Sequence, residues 1–142
     1  MTSEELLKSG GLFKIRIDLT EAFDTEDAEQ AETVEMLTQD NGDPHYITLR
    51  EVSSSEMLDV QEMSQSEVTR YLEKKIPDCI VDHSFQTSGG GRTSNGDVLK
   101  ILRLSSSLMV HVLTKWQESL PLAKRMQKAA AEQAPSSSED AR

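Results

Sequence analysis

The chain has a single cysteine, few aromatic residues and no long apolar run among its 142 residues. Cys79 has no second thiol to pair with, so no internal disulfide can form, and a lone thiol is more typical of a reducing compartment. No uncharged apolar stretch approaches the roughly 18 residues of a membrane span. We also expect no signal peptide, because the N-terminal sequence lacks a basic start followed by an apolar stretch. These absences exclude the membrane, collagenous and disulfide-framework classes.

Negative charge is concentrated in the first half of the chain. The sequence has 25 acidic and 15 basic residues, a net charge of −10. Residues 1–62 hold sixteen acids and four bases, whereas residues 63–142 hold nine acids and eleven bases. A protein that binds nucleic-acid phosphates needs a dense basic face. The acidic half therefore predicts repulsion of DNA and RNA, and the mildly basic stretch 97–130 is more typical of a solvated helix face.

Two patterns predict β-strands in this acidic half. Residues 12–19 alternate apolar and charged side chains, which indicates a half-buried strand. Asn41-Gly42 lies between the stretches 33–38 and 46–52, and we interpret these as the two strands of a hairpin. A helix is the alternative for the glutamate-rich stretch that includes 33–38. With the hairpin, residues 20–32 are an acidic loop, and strand 12–19 is expected to pair with the hairpin because two strands alone are unstable in water.

From Ser53 the apolar spacing becomes that of helices. The stretches 53–56 and 64–67 both match the capping box and predict two short helices, the second kinked or ended at Pro77. After the glycine-rich stretch 88–91, an apolar stripe over 98–120 predicts a long helix with most of the core, capped by Ser94 or Asn95. The serines at 105–107 interrupt this stripe, either as a break between two helices or as a partner-facing patch.

These elements predict a single α+β domain over residues 12–131. It consists of a short N-terminal antiparallel sheet of about three strands, followed by three or four helices. Residues 1–11 are predicted to be a flexible N-terminus. Residues 132–142 have too little apolar surface to fold and are predicted to be a disordered tail. The length fits one domain of this kind.

The residue types that carry metal or nucleophilic chemistry are present but scattered. Cys79 and His83 are four residues apart, with Asp82 between them, and such a set is half of a zinc site or a Cys–His pair. No spacing indicates a further ligand, so a buried cysteine and a surface histidine are favoured. The glycine-rich stretch 88–91 lacks the lysine of a phosphate-binding loop. We therefore assign no catalytic, cofactor-binding or metal-binding residue.

Several segments resemble the small tail assembly chaperones of tailed phages. Residues 47–52, ITLREV, followed by a serine-capped helix, are similar to the strand of type V-x-L-R-x-L that precedes an acidic helix in these proteins. Further segments resemble the later part of such chaperones: IPDCIVDHSF at 76–85, a glycine-containing connection to VLKIL at 98–102, SSSL at 105–108 and VLTKW at 112–116. The resemblance covers roughly residues 45–120, and the acidic stretch 21–43 has no counterpart in it.

The resemblance implies a non-enzymatic role without a cofactor. Proteins of this family bind the long helical tape-measure protein in the cytoplasm of the bacterial host, keep it soluble and help to recruit tail-tube subunits. They are not expected to bind nucleic acid or membranes or to remain in the finished virion. Many phages also make a longer form by programmed frameshifting, which a protein sequence does not reveal.

A chaperone of this kind needs an adaptable apolar or methionine-rich surface. The chain has six methionines, and two of them fall on the first helix after residue 53. High negative charge would keep such a surface soluble and would repel other copies. The predicted partner-binding residues come from that helix and from the long apolar one: Met57, Val60, Met63, Leu108 and Val112.

Three other functions compete with this interpretation. A structural tail-completion or connector protein would self-associate into rings. A metal-dependent enzyme would use Cys79, Asp82 and His83. An acidic mimic of nucleic acid would bind a basic protein through four carboxylates of the acidic stretch, those of Glu26, Asp27, Glu29 and Glu32.

Overall fold

Strand β2 (Tyr46–Arg50) is the centre of a three-stranded antiparallel sheet in the computed structural model, which describes residues 2–8, 13–60 and 62–120. Strand β1 (Lys14–Asp18) pairs along one edge of β2, and β3 (Ile80–His83) pairs along the other. Six α-helices accompany the sheet in these ranges: α1 (Ser3–Lys8), α2 (Ala31–Met36), α3 (Ser54–Val60), α4 (Gln65–Cys79), α5 (Asn95–Leu102) and α6 (Ser106–Ser119). The α+β class is therefore confirmed, with four helices after residue 53.

The two faces of the sheet differ in polarity, as the alternation in 12–19 predicts. Ile17 lies opposite Ile47, and both are buried together with Leu49 in the core. Helix α6 packs on β1 and on the 3-10 helix at 19–22. On the other face, the guanidinium of Arg16 lies 3.9 Å from the centre of the Tyr46 ring. One face thus builds the core, and the other is polar.

The predicted hairpin over 33–52 is wrong in its first strand. Residues 31–36 form helix α2, and what remains of the hairpin is one bridge between Thr38 and Pro44, closed by a turn in which Gly42 has a φ of 93°. The third strand of the sheet is β3, which comes from much later in the chain and pairs with β2 in the register Ile47–His83. Because β1 and β3 occupy both edges of β2, the sheet leaves no edge of β2 for residues 33–38.

The two capping boxes predicted after residue 53 are confirmed. Ser53 Oγ accepts the backbone N–H of Glu56, and the Glu56 carboxylate accepts the N–H of Ser53 at 3.2 Å. Ser64 and Glu67 make the same reciprocal pair at the start of α4. Helix α4 runs through Pro77 and ends at Cys79, so the helix does not end at the proline.

The predicted long helix over 98–120 is two helices. Ser94 caps α5, which ends at Leu102, and Ser105 caps α6 by accepting the N–H of Leu108 at 3.3 Å. The alternative of a break at the serines is therefore correct. Both helices contribute to the core, in which Trp116 is completely buried.

Several predictions about the ends of the chain stay predictions. Helix α1 lies within residues 1–11, the stretch predicted to be flexible, and it has no buried residues. The predicted end of the domain at residue 131 and the predicted disordered tail 132–142 fall outside the described residues.

Candidate functional site

An apolar groove of about 330 Å³ lies between α2 and the connection from α5 to α6. We call it the Met36–Leu104 groove. Seven of its nine lining residues are apolar, and the other two contribute hydroxyl groups: Phe23, Thr33, Met36, Leu37, Phe85, Ile101, Leu104, Ser105 and Leu108. The groove is therefore suited to apolar side chains rather than to a charged small molecule.

The groove has a buried floor and an exposed rim. Leu37 and Leu108 are 7% and 3% exposed and belong to the core. Met36 and Leu104 are 73% and 84% exposed, although both side chains are large and apolar. Isolated exposed apolar residues are common, but two of them that line one apolar depression are typical of an interaction surface.

Helix ends place the two rim residues. Met36 is the last residue of α2, and the chain tightens directly afterwards because the N–H groups of Leu37 and Thr38 bond to carbonyls only three residues earlier, each at 3.1 Å. Leu104 lies in the turn between α5 and the Ser105 cap, where its N–H bonds to the carbonyl of Ile101 at 3.1 Å. Since the cap starts α6 only after Ser105, Leu104 is left outside both helices and exposed.

Charge is distributed unequally on the two sides of the groove. The stretch 21–43, which supplies Phe23 and α2, has nine acids and neither lysine nor arginine. Within the described ranges, none of these acids forms an ion pair with a lysine or an arginine. On the other side, Lys100 lies 3.6 Å from Asp97, and Arg103 bonds to Glu73 at 2.9 Å. The basic residues beside the groove are thus already paired with acids outside it.

A polar cleft lies on a neighbouring part of the surface. It consists of two adjoining depressions of about 430 and 380 Å³ that share Gln39, Ser84 and Gln86. In it, His45 Nδ1 lies 2.9 Å from Ser84 Oγ, and the His45 ring stacks on Phe85 with ring centres 4.4 Å apart. A histidine beside a serine hydroxyl is two of the three groups of a nucleophilic site. The remaining hydrogen bonds of this pair decide whether the serine can act as a nucleophile.

The hydrogen bonds of this cleft hold strands together. Ser84 Oγ accepts the backbone N–H of Tyr46 at 2.8 Å, which ties the residue after β3 to β2. Among the described residues, no carboxylate oxygen lies within hydrogen-bonding distance of His45, so nothing orients the ring as a catalytic base requires. Burial lowers the pKa of His45, an effect that Asp40 partly opposes, and favours the neutral ring. The geometry fits a structural contact better than a catalytic pair.

His83 is buried and satisfied by backbone groups. Its Nε2 lies 2.7 Å from the carbonyl of Thr93, and its Nδ1 accepts the N–H of Phe85 at 3.1 Å. A carbonyl only accepts, so the proton is on Nε2 and the ring is neutral. Burial lowers the pKa of His83, and the positive charge of Arg92 lowers it further. The hydrogen bond to Thr93 and the negative charge of Asp82 act in the opposite direction and raise this pKa.

The three residues considered for a metal site do not converge. Cys79 is completely buried in the core, and burial raises the pKa of its thiol to about 11. Asp82 faces the polar side of the sheet, where it accepts the hydroxyl of Tyr46 at 3.1 Å and lies 3.5 Å from Arg92. In the part of the chain that the structure describes, no three histidine, cysteine, aspartate or glutamate side chains are placed to hold a metal ion.

The five residues predicted to bind a partner lie in different places. Leu108 forms part of the floor of the Met36–Leu104 groove. Val112 is completely buried in the core and Val60 is buried. Met57 packs against the core and is partly exposed, and Met63 is also partly exposed. Only Leu108 therefore lines the groove, and the partner-binding role of all five residues stays a prediction.

Sequence reasoning missed the residues that form the rim of the groove. The sequence patterns place Met36 in a strand and Leu104 in the middle of a long helix. A local signal exists for Leu104, because a serine that caps a new helix at 105 leaves the residue before it outside the helix. No local pattern brings Phe23 or Phe85 to the same place, because they come from loops that meet only in the folded chain.

Comparison of the chain with protein-family models, with curated proteins and with solved structures gave no match. The two longest helices of the described ranges, α4 and α6, have 15 and 14 residues. None of the helices in these ranges has the length and apolar character that crossing a bilayer requires.

Proposed function

We propose that the chain is a non-catalytic binding protein that holds the apolar face of a partner helix in the Met36–Leu104 groove. Its biological role is that of a tail assembly chaperone, which keeps the tape-measure protein soluble and helps to recruit tail-tube subunits. The role comes from the resemblance of residues 45–120 to that family. The observation that supports a binding function is the exposure of Met36 and Leu104 on the rim of one apolar groove.

A helix is the partner shape that such a groove suits best. An amphipathic helix places apolar side chains three or four residues apart along one stripe, and that stripe can be laid into a depression between two walls. Methionine adapts to different shapes, so Met36 at the rim can pack against varied residues along a long helical partner. A tape-measure protein has many such helical segments.

Co-expression with the proposed partner, a tape-measure protein with long coiled-coil segments, tests this function. We expect the wild-type chain to bring that protein into the soluble fraction and to co-purify with it. The variant carrying Met36→Gln and Leu104→Gln should lose both effects, because two polar amides replace the apolar rim.

The matched control is Leu58→Gln. Leu58 lies on α3, is 65% exposed and does not line the groove. The control should solubilise the coiled-coil protein as the wild type does. A coiled-coil protein that stays insoluble with the wild-type chain, or an equal loss in the control, contradicts the proposed function. Ring formation together with retention in purified phage particles would indicate a tail-completion or connector protein instead.

A further inference from the structure

We infer that the helix bound in the Met36–Leu104 groove carries lysine or arginine residues along the flank that lies beside α2. The inference rests on the proposed function, because it concerns the chemistry of the partner in that same groove. The partner is then a basic, amphipathic helix, and the acidic stretch 21–43 contributes to the selectivity for that partner.

The first argument is the position of unpaired acids beside the apolar rim. Glu32 and Met36 are four residues apart on α2, so their side chains are neighbours on the helix surface. The Glu32 carboxylate is exposed, whereas Glu35, also exposed, directly precedes Met36 and lies on the side of α2 away from the groove. Neither forms an ion pair with a lysine or an arginine in the described part of the chain. A partner helix seated on Met36 would therefore lie close to free negative charge.

The second argument is the opposite wall, which does not cancel this charge. Its two basic side chains, Lys100 and Arg103, are already paired with Asp97 and Glu73 at 3.6 and 2.9 Å. Each of these bases is balanced by its own acid, whereas Glu32 lies about 5–6 Å from Met36 between Cβ atoms, within the roughly 8 Å over which charges act at physiological salt. The potential at the groove is thus negative, which favours a basic flank and disfavours an acidic one.

The same charge argues against a second copy of this chain as the occupant. Two copies joined through their grooves would bring two acidic α2 helices together, in a chain whose net charge is −10. Like charges placed across an interface oppose association. A basic partner removes this repulsion and gains attraction at the same surface.

Two synthetic helical peptides of about 20 residues test the inference. Both carry the same stripe of leucines, and the positions beside the stripe are lysine in one peptide and glutamate in the other. Binding to the full chain is measured by fluorescence anisotropy at about 0.1 M and about 1 M NaCl. We expect the lysine peptide to bind on the order of tenfold or more tightly than the glutamate peptide at low salt, and the difference to shrink at high salt.

Variants of the chain locate the effect. The variant Glu32→Gln should bind the lysine peptide about two- to fivefold more weakly, as expected for one exposed charge pair. The control is the variant Glu118→Gln, which removes the same charge from an exposed residue that does not lie on α2 and does not line the groove. The control should bind as the wild type does. Leu104→Gln should abolish binding of the lysine peptide.

The other outcomes overturn the inference in distinguishable ways. Equal binding of the two peptides, lost in Leu104→Gln, rejects the basic flank and leaves the groove as the binding site. Binding of the lysine peptide that survives Leu104→Gln shows attraction to the acidic surface without the groove. Binding of neither peptide, or a dimer of the chain that Leu104→Gln dissociates, also rejects the inference, and the co-expression result then decides the proposed function separately.

Discussion

The indole N–H of Trp116 donates a hydrogen bond to the backbone carbonyl of Arg50 across 3.1 Å. Trp116 is on α6 and completely buried, and Arg50 is the last residue of the central strand β2. The bond joins residues 66 positions apart in the sequence, at the place where the helical layer meets the sheet. It satisfies a polar group that burial would otherwise leave without a partner.

Trp116→Phe should lower the free energy of unfolding by about 2–4 kcal/mol, because it removes this hydrogen bond and leaves part of the indole volume empty. Urea unfolding followed by circular dichroism measures the change, since the variant has no tryptophan to observe. A loss below about 0.5 kcal/mol would show that water or a neighbouring group replaces the bond at no cost.

The serines at 105–107 should differ in importance although they are adjacent. Ser105→Ala removes the cap of α6 and should cost about 1 kcal/mol of stability. Ser107→Ala changes an exposed residue inside the helix and should stay within about 0.5 kcal/mol of the wild type, because alanine is the better helix former. Urea midpoints of the two variants check this, and equal losses would contradict the capping role of Ser105.

Stability should decrease as the pH falls from 7 to 5. Burial lowers the pKa of His83 and of His45 below their ordinary value of 6.5. The unfolded chain then binds more protons than the folded chain below about pH 6.5, so the free energy of unfolding falls with pH until the folded-state pKa values are passed. Urea unfolding at pH 5, 6 and 7 measures the slope. In His83→Gln, the free energy of unfolding should depend less steeply on pH. An unchanged pH dependence would show that His83 does not contribute to it.

The thiol of Cys79 should be unreactive in the folded chain. Burial raises its pKa to about 11, so only about one molecule in a thousand carries the thiolate at pH 8, and reagents do not reach the core. Reaction with a disulfide reagent at pH 8 should be at least about a hundredfold slower in buffer than in concentrated urea. Comparable rates in the two conditions would contradict the buried position of Cys79.

Substitutions at the rim and at the floor of the groove should differ in their effect on stability. Leu104→Gln changes a side chain that is 84% exposed, so its stability should stay within about 0.5 kcal/mol of the wild type. Leu37→Ala, on the buried floor of the same groove, should cost about 2–5 kcal/mol. Urea midpoints of both variants test this contrast. A large loss in Leu104→Gln would mean that the rim residue is part of the core.

The sequence predicted those parts of the fold that depend on near neighbours in the chain. The alternation at 12–19 predicted β1 and its buried face, and the serine–glutamate pairs at 53–56 and 64–67 predicted the starts of α3 and α4. These signals work because capping bonds and strand alternation involve residues only two or three positions apart.

The errors occurred where a distant residue decides the structure. Residues 33–38 have β-branched side chains beside an Asn-Gly turn, yet both edges of β2 are taken by β1 and β3. Strand β3 follows a helix and has only four residues, so its local pattern is weak. The groove was missed for the same reason, because its walls come from α2, two loops and the turn at Leu104.

The complete burial of Trp116, the only tryptophan in the chain, separates two optical signals. Its emission reports whether α6 is seated on β2, and Trp116 itself is not among the residues that line the Met36–Leu104 groove. A dye on a peptide partner therefore reads occupancy of the groove while the indole reads folding in the same cuvette. A variant that loses its partner can be told at once from a variant that has lost its structure.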